Sequence, residues 1–205
     1  MSTKTLIDHL QQQLRFARHV EPAQAAVLIA ITKEDDPKVL LTRRSKHLNQ
    51  HAGEVSFPGG KRDPEDISNI AVALREAHEE TALNPYDVEL IGDLPMQQSK
   101  SGLTVKPVVG LIPAQIELVA QPTEIDRIFF ASQRELMETP TQPHAVQYQQ
   151  QTLYFPSMHV EEEVVWGLTA RMLVSLFKYG LKYDKEWPFL LNTAPLSVDL
   201  HAMTK

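Results

Sequence analysis

The chain contains no cysteine in its 205 residues. Disulfides, thiolate nucleophiles and thiolate zinc sites are therefore excluded, and a cytoplasmic setting is expected. Long hydrophobic runs are missing too. No stretch approaches the roughly 18 apolar residues of a membrane span. The first residues lack the basic, apolar and small-residue order of a signal peptide, so no membrane partner is expected. Positive charge is scarce: 20 Lys and Arg face 26 Asp and Glu, for a net charge of −6. That balance argues against a general nucleic-acid binder. None of the eight His stands in the H-E-x-x-H spacing of a zinc protease. Ser101 and Ser132 lack the context of a nucleophile elbow.

What is present suits a globular domain. The length and a hydrophobic fraction of 42% are enough for a sizeable core. No internal repeat or low-complexity linker divides the chain, so residues 1–205 read as one domain. Residues 3–18 carry a partial apolar stripe of Leu6, Leu10, Leu14 and Phe16 and predict an outer helix. Ala25–Lys33 reads as a strand, residues 34–37 as a turn and Val39–Thr42 as the returning strand. Val55 and Phe57 mark a short strand. Val88–Leu94, Val105–Ile112 and the run leading from Ile125 read as further strands. Residues 95–103 are polar and turn-rich, which suits a substrate-side loop. Ser132 and Glu135 have capping-box spacing for a short helix to Glu138. Residues 139–144 read as a loop, and 145–149 with 151–155 as a hairpin. Glu161–Tyr179 predicts the last long helix, its three leading acids placed favourably for the helix dipole. A supplementary metal ligand among those acids is the less favoured reading. Trp166 and Trp187 read as packing residues. The tail from Glu186 has no clear period. Strands alternating with helices and hairpins predict an α/β protein with a mixed sheet between helices.

One stretch, Gly59 to Leu83, is chemically unusual. Two glycines and a proline-containing turn lead into a helix on which Glu76, Glu79 and Glu80 are neighbours at i, i+3 and i+4. Ile67, Ile70, Leu74 and Ala77 fall on the opposite side as an apparent core stripe, which leaves the acids on the wet face. Like charges at this spacing repel by about 0.2–0.5 kcal/mol per pair. They also crowd the helix C-terminal half, the wrong end for the macrodipole. Both choices make sense if a cation sits there, and hard divalent ions such as Mg²⁺ take a few carboxylates plus substrate phosphates. A solvated acidic face is the plain alternative for the spacing alone. Charge is uneven nearby: Arg43, Arg44, Lys46, Lys61 and Arg62 face one acid, Glu54, between positions 43 and 62. A basic island beside an acidic helix suits a polyphosphate whose metal is held by carboxylates. A solvated basic loop is the alternative there. His78 points away from the acids and reads as solvated.

These residues resemble the Nudix box, G-x5-E-x7-R-E-U-x-E-E-x-G-U, with U a bulky aliphatic residue. The half from Arg75 to Leu83 matches except at Ala77, small where U is expected, and Ala82, which replaces Gly. The front half is one residue longer, and Asp66 stands where the first Glu would be. Upstream, Leu40-Leu41-Thr42-Arg43-Arg44-Ser45, Gly53 and Phe57-Pro58-Gly59-Gly60 resemble LLTxR[SA]x3Rx3Gx3FPGG, the signature of the coenzyme A pyrophosphatase branch. Asn49 replaces its second Arg. The longer box spacing is also a property of that branch. Weaker resemblance continues through Thr104–Gly110 and Trp166–Ala170.

The resemblance implies an α/β/α sandwich and a metal-dependent diphosphatase using Mg²⁺ or Mn²⁺. It implies Glu76 and Glu80 as principal metal ligands, Glu79 as a third, direct or through water, and Gly60 as a candidate carbonyl ligand. Arg75 is expected to orient the carboxylates; the general base is left open. Arg44 and Lys61 are the expected diphosphate contacts, with Arg43 and Lys46 for a 3′-phosphate. The implied substrate is coenzyme A, cleaved to 3′,5′-ADP and 4′-phosphopantetheine. Another diphosphate, such as ADP-ribose or a dinucleotide, is the first alternative, and a non-catalytic sensing module the second. A homodimer is among the assemblies expected.

Overall fold

The computed structural model describes residues 5–17, 22–148 and 150–188. Its centre is an eight-stranded mixed sheet. β1 (Ala25–Lys33) is flanked on one edge by β2 (Lys38–Arg44) and β4 (Gly59–Lys61), both antiparallel. On its other edge it runs parallel to β7 (Thr104–Pro113), from the pair Ala25 and Val105 to Lys33 and Pro113. β3 (Val55–Ser56) and β8 (Ile125–Ser132) pair with β2; β5 (Glu89–Asp93) and β6 (Gln97–Gln98) pair with β7.

Both faces of β1 are buried, which explains why its sequence is a continuous apolar run rather than an alternating one. Ala26, Leu28 and Ala30 join Leu40, Val108 and Ile112 under α2 (Asn69–Thr81), which presents Val72, Ala73 and Ala77. Ala25, Ile29 and Ile31 join Leu41, Val109 and Leu111 on the other face. That face is covered by α1 (Leu6–Gln13), α4 (Gly167–Leu181) and a second, three-stranded antiparallel sheet. In that sheet β10 (Gln151–Val160) lies between β9 (Gln142–Tyr148) and β11 (Glu163–Trp166). α3 (Gln133–Glu138) follows β8, with Ser132 as its cap accepting from the Glu135 amide. The helix–sheet–helix layering is thus present, and the extra sheet shares one of its outer layers.

Several sequence expectations are corrected. The N-terminal helix is shorter: Thr5 and Asp8 form a reciprocal capping box, and the chain turns extended at Leu14, which still packs in the core. Ile67 is not a core residue; it precedes the Ser68 cap and is 94% exposed. α2 stops at Thr81, before Asn84 and Pro85, because Ala82 takes the left-handed conformation at φ 57°. Pro85 opens a short 3-10 turn instead, capped by Asn84. The hairpin is longer than expected and absorbs residues 142–144 of the expected loop. Glu161 to Glu163 do not open the last helix. Glu161 turns at φ 52° and Glu163 begins β11, so the capping reading fails. β-branched Val164 and Val165 fit a strand better than a first helical turn. Trp166 does pack, against His144 and Phe155. Residues beyond Pro188, most of the unassigned tail, lie outside the described residues.

Candidate active site

The site forms where β4 meets α2. Gly59 and Gly60 are required there for space. A Cβ on Gly59 would lie 2.5 Å from the Ala26 carbonyl oxygen, and one on Gly60 would lie 2.4 Å from the Glu76 carboxyl carbon. The paired glycines therefore let β4 lie against β1 on one side and let Glu76 rest on bare backbone on the other. α2 is aimed by its N-terminus. Ser68 caps it, and buried Asn69 accepts from the Ala23 amide and from Arg62, which also holds the Ala23 and Asp66 carbonyls.

The three acids are not equally wet, a correction to the expected exposed stripe. Glu79 is exposed, Glu76 half-buried and Glu80 only 2% exposed. The cause is rotation: the apolar stripe centres on Val72, Ala73 and Ala77, so position 80 turns toward the sheet. Glu80 Oε2 accepts from the Gly59 amide at 3.1 Å, and Oε1 lies 3.7 Å from Arg44 Nη1. Burial pushes the Glu80 carboxyl up to about 7, more than the Gly59 amide and Arg44 pull it down. Glu76 is raised as well, again chiefly by burial, against the pull of Arg75.

Arg75 organises the outer acids. Its Nη1 donates to Glu76 Oε1 and to Glu79 Oε2, each at 3.0 Å. Its other edge forms a fork on Asp66, with Nε and Nη2 at 3.2 and 2.8 Å, and Nη2 also reaches the Lys61 carbonyl. The guanidinium holds the Asp66 carboxyl below its usual range. Asp66, at the place of the first box Glu, therefore fixes the arginine that fixes the acids.

Two acids, Asp63 and Glu124, escaped the sequence reading. Glu124 joins Asp63, Arg75, Glu76, Glu79 and Gln121 around an open cavity of about 410 Å³. Its charge adds to the upward push on both Glu76 and Glu80. The segment before β8 is stitched onto the end of α2: the Val119 and Gln121 amides donate to the Thr81 and Glu80 carbonyls, both at 2.9 Å. The Ser45 amide donates to the Glu124 carbonyl at 2.7 Å. Glu124 reaches the site through tertiary pairing, and no local spacing marks it.

The structure thus brings together Gly60, Arg44, Arg75, Glu76, Glu79 and Glu80. Lys61 is exposed on β4 beside them. Lys46 is exposed on the loop after β2, its amide on Asp126. Arg43 points to the opposite face, where Glu163 of β11 holds it at 3.0 Å and also holds Arg127 at 3.0 Å. His78 is exposed and bonds the Leu83 carbonyl, away from the acids.

Among the described residues no three acidic or histidine side chains converge as a formed ion site, since Arg75 stands between Glu76 and Glu79. The donor set nevertheless suits a hard divalent cation, being all oxygen. Glu80 supplies the independent sign: a buried carboxylate whose nearest cation is 3.7 Å away is short of positive charge.

A model of the Nudix domain matches residues 22–160. The chain belongs to the Nudix family, and it is a hydrolase of that family. It is 39% identical over 161 residues to the uncharacterized Nudix hydrolase NudL of Enterobacter sp. (strain 638), covering 78% of this chain and 84% of the relative. It is 40% identical over 153 residues to NudL of Yersinia pestis (strain Pestoides F), covering 73% and 76%. A MutT/nudix family protein from Enterococcus faecalis overlaps 83% of this chain and 66% of its own, at a TM-score of 0.49 and 14% identity.

Proposed function

We propose that the protein is a metal-dependent diphosphatase that cleaves coenzyme A into 3′,5′-ADP and 4′-phosphopantetheine. The observation that carries this reading is the union of the two sequence motifs in one site. The Leu40–Gly60 signature resembling the coenzyme A branch delivers Arg44 and the Gly59 amide directly onto Glu80 of the box helix. Asn49, exposed on the loop between β2 and β3, departs from that signature and sustains the second reading, a diphosphatase for ADP-ribose or a dinucleotide.

Glu76 and Glu80 would hold Mg²⁺ or Mn²⁺, with Glu79 and the Gly60 carbonyl as further donors. A bound ion neutralises phosphate oxygens and makes bound water more acidic. The chain does the rest. Asp66 pins Arg75, and Arg75 orients Glu76 and Glu79. The Gly59 amide fixes one oxygen of Glu80 and leaves the other toward Arg44. Arg44 and Lys61 meet the diphosphate, whereas Arg43, held by Glu163 on the other face, stays clear of it. Glu124, on the open wall of the cavity, is the carboxylate free to take a proton from the attacking water. Domain-wide, residues 1–205 act as one unit in this reading, in the cytoplasm. The test is a panel of coenzyme A, ADP-ribose and dinucleotides with Mg²⁺ or Mn²⁺, read by product masses. Coenzyme A is expected to be cleaved most efficiently.

A further inference from the structure

Apart from Arg171, the partly buried arginines near the site each face an acid or amide side chain, although Arg43 Nε and Arg44 Nε lack a hydrogen-bond partner among the described residues. Arg43 and Arg127 share Glu163, Arg44 faces Glu80, Arg62 holds two carbonyls and Asn69, and Arg75 holds Asp66. Arg171, in the second turn of α4, is different. It is partly buried, and its partner among the described residues is the Gln98 carbonyl, reached by Nη2 at 2.5 Å. No carboxylate among the described residues offsets the burial that pushes its pKa down. A guanidinium carries five N–H donors, and one of them is engaged by an acceptor among the described residues.

A second unpaired group lies on the same strand edge. Gln97 is 3% exposed, and its Oε1 has no donor. It stands directly opposite Val105, whose side chain belongs to the core packed under α4. Directly opposed residues share a face of the sheet, so Gln97 projects toward α4 as well. Buried polar atoms are rarely left without partners, and an unpaired one calls for an explanation.

The location is informative. Lys61, Ala25, Val105 and Gln97 form one row across β4, β1, β7 and β6. Three strand spacings separate Lys61 from Gln97, roughly 14 Å. That span is within reach of a nucleoside diphosphate and the long side chains at either end. An acceptor-hungry cation and a donor-hungry carbonyl together call for a ligand offering an anion and a hydroxyl side by side. A carboxylate would satisfy the first and leave the second.

We propose that Arg171 and Gln97 form a subsite for a phosphorylated ribose, Arg171 donating to the phosphate monoester and Gln97 Oε1 accepting from the adjacent ribose hydroxyl. This rests on the diphosphatase reading and assigns its specificity to α4 and β6 rather than to the basic island. Lys46, by contrast, is exposed, where an ion contact is worth little.

The test uses the full chain with Mg²⁺. kcat/KM is measured on coenzyme A and 3′-dephospho-coenzyme A for the wild type, Arg171→Gln, Arg171→Lys and Lys46→Ala. Arg171→Gln is expected to lower efficiency on coenzyme A by about 10- to 100-fold, the worth of one charge-assisted contact. The dephosphorylated substrate should be nearly unaffected, Arg171→Lys should recover part of the loss, and Lys46→Ala should keep the preference. Equal losses on both substrates, or a preference that survives Arg171→Gln, would overturn the proposal. Calorimetry with 3′,5′-ADP against 5′-AMP separates this from the reaction itself. A preference for the bisphosphate that vanishes in Arg171→Gln supports the subsite even if coenzyme A is not hydrolysed. Equal binding of the two by the wild type refutes it.

Discussion

A carboxylic acid with 2% exposure and a pKa of about 7 is about half protonated at neutral pH unless a cation joins it. Glu80 has a folded pKa above its ordinary 4.5, so the folded state holds a proton that the unfolded chain releases between those values. Stability of the metal-free protein should therefore fall as pH rises from about 4.5 to 7, by at most about 3 kcal/mol from this group. Glu80→Gln removes the penalty. Its Tm in EDTA should exceed that of the wild type by more at pH 8 than at pH 5, which a thermal scan at the two values checks. The same variant should lose turnover by at least the roughly 10- to 100-fold that even outer partners of a metal are worth. Identical Tm gains at both pH values would show that the buried charge is not the cause. Glu124→Gln is expected to lower kcat while leaving metal-induced stabilisation in place, since Glu124 is exposed and is assigned to the water.

At the scale of elements, the glycine pair and the end of α2 can be separated experimentally. Gly59→Ala would press a methyl on the backbone of Ala26 and Val27, which cannot yield cheaply. Gly60→Ala would meet only the end of the Glu76 side chain. The first should lower Tm markedly. The second should leave the metal-free Tm close to wild type and blunt the stabilisation by Mn²⁺. Ala82 occupies a left-handed position that costs an L-residue about 1–2 kcal/mol, so Ala82→Gly should raise Tm. The glycine missing from the box in sequence is thus missing as a helix cap in structure. β1, β2 and β7 were legible because two-sided burial writes long apolar runs. The box helix was legible in type but not in phase. Exposed Ile67, just before its cap, imitated a core position, while alanines at 73 and 77 made the true stripe faint. β11 was hidden because three glutamates before an amphipathic helix look like a first turn. The ion pairs of Glu163 with Arg43 and Arg127 hold that acid in the sheet. Arg44 and the box acids could be read from the motifs they resemble, whereas Glu124 and Arg171 depend on how distant elements pack.

Across the whole molecule, a net charge of −6 repels polyanionic substrates, so binding depends on local cations and on the metal. No helix among the described residues is long and apolar enough to cross a membrane. An ion bound only by the folded state should stabilise it by about 2.7 kcal/mol at a hundredfold excess over Kd, and a thermal shift with Mg²⁺ or Mn²⁺ checks this. The most direct measurement is the mass of the products formed from coenzyme A by the wild type and by Glu80→Gln, with and without Mn²⁺. The expected result is 3′,5′-ADP and 4′-phosphopantetheine from the wild type with metal, and little of either from the variant or in EDTA. Intact coenzyme A in a preparation that cleaves ADP-ribose or a dinucleotide, or equal cleavage by Glu80→Gln, would contradict it.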